Sequence, residues 1–197
     1  MSAWQPSLLG HSAPSLDAQM TRMRRIQLGP NAWIDSHPGW IRGHDTLFDR
    51  LRRETQWTSS RRMMYQREVD VPRLFAEFPD TGPTEPMLQQ IRSALDARYS
   101  CRFGKVSMAL YRDGRDSVAW HSDKDLSETD AMVALISVGE PRRFLVRPVG
   151  GRVCQTFRVG WGDLVVMGGA AQRGFEHCIP KVSRAGPRIV IMYRWSA

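Results

Sequence analysis

The sequence predicts a single α+β domain in which two N-terminal helices pack on a β-sandwich or barrel. Three observations lead to this prediction: the length of 197 residues, helical spacing of apolar residues confined to the first half, and short strand-like segments from residue 103 onwards. Domains usually contain about 100–200 residues, so one hydrophobic core is expected. We place the folded domain at residues 32–197, with the β-rich core at about 103–196.

The N-terminal residues 1–31 are predicted to form a flexible basic arm. They are rich in Ser, Pro, Gln and Gly, show no sustained apolar period, and carry Arg22, Arg24 and Arg25 near their end. A short apolar piece, Ala32–Ile34, then leads into the folded domain.

Two segments have the apolar spacing of amphipathic helices. The first is Asp45–Gln56. The second begins after Thr84, which we predict as the N-cap, and has Pro86 in its first turn. The apolar faces of the two helices consist of Leu47, Phe48 and Leu51 and of Met87, Leu88, Ile91 and Leu95.

Seven short β-type segments follow, separated by Gly, Pro and Asp residues that favour turns. This even spacing of short strands is typical of a β-sandwich or barrel and not of a parallel α/β sheet. The segments are Val106–Tyr111, Met132–Val138, Arg143–Val149, Val153–Val159, Asp163–Met167, Phe175–Ile179 and Arg188–Arg194.

The chain is strongly basic. It has 28 Lys and Arg residues against 20 Asp and Glu residues, a net charge of +8, and only Lys105, Lys124 and Lys181 are lysines. Arginine presents a planar fork of donors that matches phosphate, so this charge favours a nucleic-acid partner. The alternative explanation for the excess of arginine is a GC-rich genome, which encodes Arg in preference to Lys.

Cysteine usage and hydropathy favour a cytoplasmic protein without a membrane segment. The three residues Cys101, Cys154 and Cys178 are an odd number without metal-binding spacing, which argues against a disulfide framework or a zinc ribbon. The longest apolar run is Ala131–Ile136, which is far too short to span a bilayer. We expect a monomer, although no pattern in the sequence bears on the oligomeric state.

A possible metal site lies in the β-rich half. His121 and Asp123 are two residues apart, so in an extended strand both project from the same face. His177, on a later strand, can complete a set of two imidazoles and one carboxylate, which leaves open positions and suits non-haem Fe(II). A closed zinc site would need a fourth ligand. The short H-x-D pattern also occurs by chance, and a lone histidine is more often a structural residue.

Two arginines mark the last strand. Arg188 and Arg194 are an even number of residues apart, so both project from the same face. If this face is buried, the two charges require anions, which Asp123 and a dicarboxylic co-substrate would supply. An edge strand with both arginines in water is the alternative.

Together these residues resemble the signature of the AlkB family of 2-oxoglutarate-dependent dioxygenases, most closely the subgroup with the animal nucleic-acid repair homologues. The segments that carry the resemblance are Leu110–Gly114, Asp116–Asp123, Ile136–Gly139 with Arg143–Phe144, Gly162–Met167, His177 and Arg188–Arg194. The resemblance implies a double-stranded β-helix, or jelly roll. It also implies that His121, Asp123 and His177 bind Fe(II).

For the co-substrate, the resemblance implies that Arg188 pairs with the distal carboxylate of 2-oxoglutarate, that Arg194 lies near its metal-bound end, and that Tyr111 donates a hydrogen bond to it. The sequence departs from the family at two positions, where Ala109 and Val190 replace asparagines. These replacements remove two polar contacts from the co-substrate side of the pocket.

For the substrate, the resemblance implies a recognition region at about residues 57–82. We expect Met64 and Tyr65 to act as a wedge and Phe78 to stack on the target base, while Asp125 contacts the base itself. Phosphate contacts are expected from Arg61, Arg62, Arg67 and Arg73.

The implied activity is oxidative demethylation of N-alkylated bases, such as N1-methyladenine and N3-methylcytosine, in DNA or RNA. The reaction uses Fe(II), 2-oxoglutarate and O₂ and releases formaldehyde, succinate and CO₂. Two alternatives remain at this stage: a dioxygenase of the same fold that acts on a protein or a small molecule, and a nucleic-acid-binding module without turnover.

Overall fold

The computed structural model describes residues 12–64, 67–79, 82–123 and 131–195. Within these residues the chain forms fourteen strands and three helices. In chain order they are β1 (Ser15–Leu16), β2 (Arg24–Gly29), β3 (Ala32–His37), β4 (Ile41–Arg42), α1 (His44–Glu54), β5 (Thr58–Met64), β6 (Arg67–Glu77), α2 (Pro86–Tyr99), β7 (Lys105–Tyr111), β8 (Val118–His121), β9 (Met132–Gly139), β10 (Arg142–Pro148), β11 (Gln155–Val159), β12 (Asp163–Gly169), α3 (Ala171–Gly174), β13 (Phe175–Ile179) and β14 (Arg188–Trp195).

The eight consecutive strands β7–β14 fold into two facing antiparallel sheets. The major sheet has the order β2-β3-β12-β9-β14-β7-β6-β5, and the minor sheet has the order β11-β10-β13-β8. The chain alternates between the sheets from strand to strand, apart from the β10–β11 hairpin within the minor sheet. This winding fits the jelly roll, and it places the start of β8 and the end of β13 side by side.

The major sheet is covered on both faces. Its two central strands, β9 and β14, are almost continuously apolar and buried, the pattern expected where neither face meets water. One face packs on α1 and α2. The other face packs on the minor sheet through a second apolar cluster that includes Val165, Phe144 and Val146.

Helix α1 buries Leu47, Phe48 and Leu51 against the major sheet. Phe48 lies so close to Gly139 that a Cβ atom there would stand 2.9 Å from its ring, and Gly139 has a left-handed φ of 89°. A glycine at the end of β9 therefore allows the helix to approach the sheet.

Helix α2 begins one residue later than the cap predicted from the sequence. The N-cap is Glu85, whose carboxylate accepts a hydrogen bond of 2.8 Å from the Leu88 amide and another of 2.8 Å from Arg50. The expectation of Thr84 as N-cap is therefore wrong, because the longer glutamate side chain reaches the free amides of the first turn. No helix in the described ranges is long and apolar enough to cross a membrane.

The expectation of a flexible arm up to residue 31 is wrong for residues 24–29, which form β2 at the edge of the major sheet. Arg25 makes two hydrogen bonds of 2.7 Å to the buried carboxylate of Asp35, and Tyr99 donates a third of 2.9 Å. The Arg25 guanidinium also lies 4.0 Å from the centre of the Trp33 ring. The basic residues that suggested a solvated arm thus include one that a buried acid and an aromatic ring hold in place.

Candidate metal centre and co-substrate pocket

The structure brings the three predicted metal ligands together. In the pairing of β8 with β13, His121 stands directly opposite His177, and the two ring centres are 4.2 Å apart. Asp123 follows β8 by two residues, and its Oδ2 lies 3.7 Å from Nε2 of His177. One ligand atom from each of the three residues lies within 4.8 Å of the other two. A single ion can therefore reach all three.

The donor atoms are in the form that a metal ion requires. Nδ1 of His121 lies 3.0 Å from the carbonyl oxygen of Ala119, so this nitrogen carries the proton and leaves Nε2 with a free lone pair. Burial, together with the nearby His121, lowers the pKa of His177 to about 3, so its ring is neutral at pH 7. Two imidazoles and one carboxylate fit Fe(II) with coordination positions left for other reactants.

Arg188 lies at the start of β14 with its guanidinium buried in the protein. Its Nη2 donates a hydrogen bond of 2.6 Å to the Ser137 hydroxyl, whereas Nε and Nη1 have no hydrogen-bond partner among the described residues. Burial lowers the pKa of Arg188 to about 10, an effect that the adjacent Tyr111 opposes. At neutral pH this arginine is thus a buried cation with free donors, which is what an incoming carboxylate needs.

Arg194 lies farther along the same face of β14. Its Nη1 donates a hydrogen bond of 2.8 Å to the Ser107 hydroxyl, and its Nη2 is 3.7 Å from Oδ1 of Asp123. Arg194 therefore connects the candidate metal ligand Asp123 with the side of the pocket that is lined by Arg188 and Arg194, which we call the arginine wall. Ser107 and Ser137, which hold the two guanidinium groups, were not identified from the sequence, since a serine within a buried strand carries no pattern of its own.

Tyr111 is the third predicted co-substrate residue, and it lies beside Arg188. The two residues face each other in the β7–β14 pairing, and the guanidinium carbon is 5.1 Å from the ring centre. Ala109 and Val190 form the next pair on the same face, and both are buried. The positions where the family has asparagines are thus an apolar part of the wall.

Arg142 is a buried positioning residue that the sequence analysis passed over. It donates hydrogen bonds of 3.0, 3.0 and 2.7 Å to the backbone carbonyls of Asp113, Asp116 and Pro180, respectively. Burial lowers its pKa. Arg142 ties the turn before β8 to the turn after β13, and these two strands carry the metal-binding histidines.

Phe78, the predicted stacking partner for the base, lies on the opposite side of the major sheet from the candidate metal centre. It packs on the helix-bearing face of the major sheet. There it lines an open cleft of about 630 Å³ between α1, β6 and α2. Phe75 lies three residues earlier, an odd separation, and packs instead with the cluster between the two sheets.

Among the side chains of β6 that the structure describes, Phe75 and Arg73 are an aromatic and a basic residue on the side of the metal centre. Phe75 stands opposite Ala109 in the β6–β7 pairing. The Arg73 guanidinium lies 4.6 Å from the Phe75 ring centre and donates a hydrogen bond of 3.0 Å to the carbonyl of Ser117. Arg73 is also close enough to His177 to contribute to lowering its pKa.

Four groups of predicted substrate residues fall outside the described part of the structure. They are the side chain of Met64, the whole of Tyr65, the whole of Asp125, and the side chains of Arg61, Arg62 and Arg67.

Comparisons with known proteins agree with this site. Residues 36–194 match the family model of the 2OG-Fe(II) oxygenase superfamily. The alpha-ketoglutarate-dependent dioxygenase alkB homolog 3 of Mus musculus is 27% identical over 222 residues, which covers 96% of this chain and 76% of that protein. The DNA oxidative demethylase ALKBH2 of Arabidopsis thaliana is 24% identical over 191 residues, with 76% and 61% covered, respectively.

Among solved structures, OsALKBH1 superimposes with a TM-score of 0.62 at 13% identity, covering 87% of this chain and 99% of that chain. A prolyl hydroxylase from Trichoplax adhaerens gives a TM-score of 0.51 at 11% identity, with 76% and 74% covered. These two likenesses support the fold alone. The family match and the relatives agree with the site, in which two histidines and one aspartate lie beside the arginine wall. The chain therefore belongs to the 2OG-Fe(II) oxygenase superfamily and, within it, to the AlkB family of Fe(II)- and 2-oxoglutarate-dependent dioxygenases.

Proposed function

We propose that this dioxygenase removes alkyl groups oxidatively from nucleobases, with N1-methyladenine and N3-methylcytosine in DNA or RNA as substrates. The observation that carries the proposal is the pairing of Arg73 and Phe75 beside the candidate metal centre. An aromatic ring offers a surface on which a base can stack, and the guanidinium offers a contact for its phosphate. The plant relative, a DNA oxidative demethylase by name, supports the same substrate class.

We assign His121, Asp123 and His177 as the residues that hold Fe(II). When bound with 2-oxoglutarate and O₂, the iron supplies the oxidation of the N-methyl group, after which formaldehyde is lost from the base. Because the ligand set contains only one carboxylate, a bound Fe(II) would keep a net positive charge, which would favour an anionic co-substrate.

The arginine wall orients that co-substrate. The free Nε and Nη1 donors of Arg188 bind its distal carboxylate, and Tyr111 lies at the same end. Arg194 binds near the opposite end, where it also restrains the carboxylate of Asp123. Because the apolar side chains between the two arginines exclude water, each ionic contact is stronger than it would be in solution.

The decisive experiment measures formaldehyde and succinate from a single-stranded oligonucleotide that carries one N1-methyladenine. We expect equal amounts of the two products from the wild type and neither from Asp123→Ala. Glu54→Ala, at the exposed end of α1, serves as the control that removes a carboxylate elsewhere and retains full turnover. Undiminished turnover by Asp123→Ala would reject the ligand assignment.

The same assay separates the proposed substrate from its alternatives. An enzyme that contacts phosphates has a KM for the oligonucleotide that rises steeply with salt, whereas a small neutral substrate produces little change. Succinate formation without formaldehyde from any methylated oligonucleotide would reject nucleobases as the substrate and point to a protein or a small molecule.

A further inference from the structure

The minor sheet has an outer face that the metal centre does not use. Along β10, Phe144 and Val146 point into the cluster between the sheets, so Arg143 and Arg147 point outwards. On β11, Phe157 and Val159 point inwards in the same way, and Arg158 points outwards. Three arginines therefore share one solvent-facing surface, which we call the outer arginine face.

Two of these arginines stand directly opposite each other. Arg143 pairs with Arg158 in the antiparallel register of β10 and β11, and both side chains are exposed. Directly opposed residues have Cβ atoms about 4.5–5.5 Å apart, and like charges in this position destabilise the sheet. In the described ranges neither guanidinium has an acidic partner. The pair is thus arranged to share an anion that none of the described residues provides.

The third arginine on this face, Arg147, is neutralised by an acidic partner. Arg147 stands opposite Glu176 in the β10–β13 pairing and donates a hydrogen bond of 3.0 Å to its carboxylate. Its guanidinium also lies 4.1 Å from the ring centre of Trp120. Glu176 is therefore already engaged by Arg147, so the described part of the chain offers no acidic partner to Arg143 and Arg158.

An exposed aromatic ring lies next to the uncompensated pair. Trp161 is 52% exposed, and the Arg158 guanidinium is 5.7 Å from its ring centre. The turn that carries it is held by hydrogen bonds of 3.2 Å from its own amide to Gly139 and of 2.8 Å from the Gly162 amide to Ser137. A fixed aromatic ring beside two free guanidinium groups matches the chemistry of a nucleotide, with phosphate on the cations and the base on the ring.

We propose that Arg143, Arg158 and Trp161 form a second contact for single-stranded nucleic acid, which holds the part of the strand that flanks the target base. This inference rests on the proposed function. Val146 pairs with His177, so Arg143, three residues away, lies about 10 Å farther along the strand direction. A substrate must therefore extend several nucleotides beyond the target base to reach the outer arginine face.

The test compares a methylated pentanucleotide with a methylated single strand of about 20 bases, a length above the site size of common single-strand binders. Binding is measured by fluorescence anisotropy over a series of salt concentrations, and turnover of both substrates by formaldehyde release. The variants are Arg143→Ala/Arg158→Ala and Trp161→Ala. The matched control is Arg53→Ala/Arg98→Ala, which removes the same charge from exposed positions on α1 and α2.

We expect the Arg143→Ala/Arg158→Ala protein to bind the long strand about tenfold more weakly than the wild type at low salt. The slope of log K against log salt falls by about 1.4, because each lost phosphate contact on a single strand contributes about 0.7. Trp161→Ala weakens the same complex about tenfold. Turnover of the pentanucleotide is unchanged in all variants, and the control binds both substrates as the wild type does.

Three results would overturn the inference. One is a long-strand affinity of the double variant equal to that of the control. Another is an equal loss for the long and the short substrate, which would place the arginines at the metal centre. The third is displacement of the unmethylated long strand by polyglutamate as readily as by an equally charged oligonucleotide, which would indicate an acidic protein partner. If the pentanucleotide gives no formaldehyde with wild-type enzyme, the proposed function fails instead.

Discussion

Replacing Arg188 with methionine should stabilise the protein without co-substrate and abolish its stabilisation by 2-oxoglutarate. The guanidinium is buried, and the described residues place the Ser137 hydroxyl and the Tyr111 ring beside it but no carboxylate in an ion pair with it. A buried cation without a counter-ion destabilises the folded state, whereas an apolar side chain of similar length fills the same space at little cost. Methionine also keeps a favourable contact with the ring of Tyr111.

The expected magnitude follows from the environment of Arg188. Burial lowers its pKa from 12.5 to about 10, and this difference corresponds to about 3 kcal/mol of destabilisation of the charged form. Removing the arginine recovers this energy but leaves the Ser137 hydroxyl without a partner, which costs about 1 kcal/mol. The net gain of about 2 kcal/mol raises the Tm by roughly 4–8 °C for a chain of this size.

Thermal unfolding with Mn(II) in place of Fe(II) provides the assay, with and without 2-oxoglutarate. At a concentration about 100-fold above its Kd, 2-oxoglutarate stabilises the wild type by about 2.7 kcal/mol, and the Arg188→Met protein gains nothing. Arg53→Met, at an exposed position of α1, is the control and responds as the wild type does. A lower Tm for Arg188→Met than for wild type, combined with a full response to 2-oxoglutarate, would refute this reasoning.

Three other predictions concern single side chains. Ser107→Ala removes a hydrogen bond to the second arginine of the pocket, so the KM for 2-oxoglutarate rises about fivefold in steady-state assays with little change in Tm. Phe75→Ala raises the KM for a methylated oligonucleotide at least fivefold, whereas Phe78→Ala leaves this KM unchanged and lowers the Tm. Hydrogen bonds from Thr21 hold the pKa of Asp17 at about 2, below its ordinary value of 3.8, so they stabilise the fold above pH 4 and this contribution is lost as the pH falls towards 2. In thermal melts, Thr21→Val is therefore less stable than wild type at pH 5, and the difference vanishes near pH 2.

The candidate site could be predicted where it depends on the alternation of side chains along a strand, because residues an even number apart project from the same face. His121 and Asp123 share a face because they are two residues apart at the end of a strand, and Arg188 and Arg194 share a face because they are six apart. The approach of His177 to the first pair was not a consequence of spacing. It was expected from the family resemblance, and the structure shows its origin in the pairing of β8 with β13.

The same alternation also explains what could not be predicted. Phe75 and Phe78 differ by three residues and pack on opposite sides of the major sheet. The sequence of β6 does not show which side is which, because apolar residues such as Phe75 and Leu74 occupy both sets of alternating positions. Strand β2 could not be predicted for a similar reason. Its place at the edge of the major sheet depends on Arg25 pairing with Asp35, a buried acid of the neighbouring strand β3. Such long-range partners leave no local periodicity.

The replacement of two family asparagines by Ala109 and Val190 changes the chemistry of the wall rather than opening a gap. The two residues stand opposite each other and are buried, and Phe75 continues the same row across β6. Ser137 continues this row on β9, opposite Val190, and its hydroxyl accepts a hydrogen bond from Arg188. Ser107, two residues before Ala109 on β7, accepts one from Arg194. An amide at either position would need its own partners within an apolar row, whereas a serine beside each guanidinium requires only one. We therefore propose that recognition of the co-substrate in this chain depends on its two charged ends, and that the apolar side chains of Ala109 and Val190 face its carbon chain.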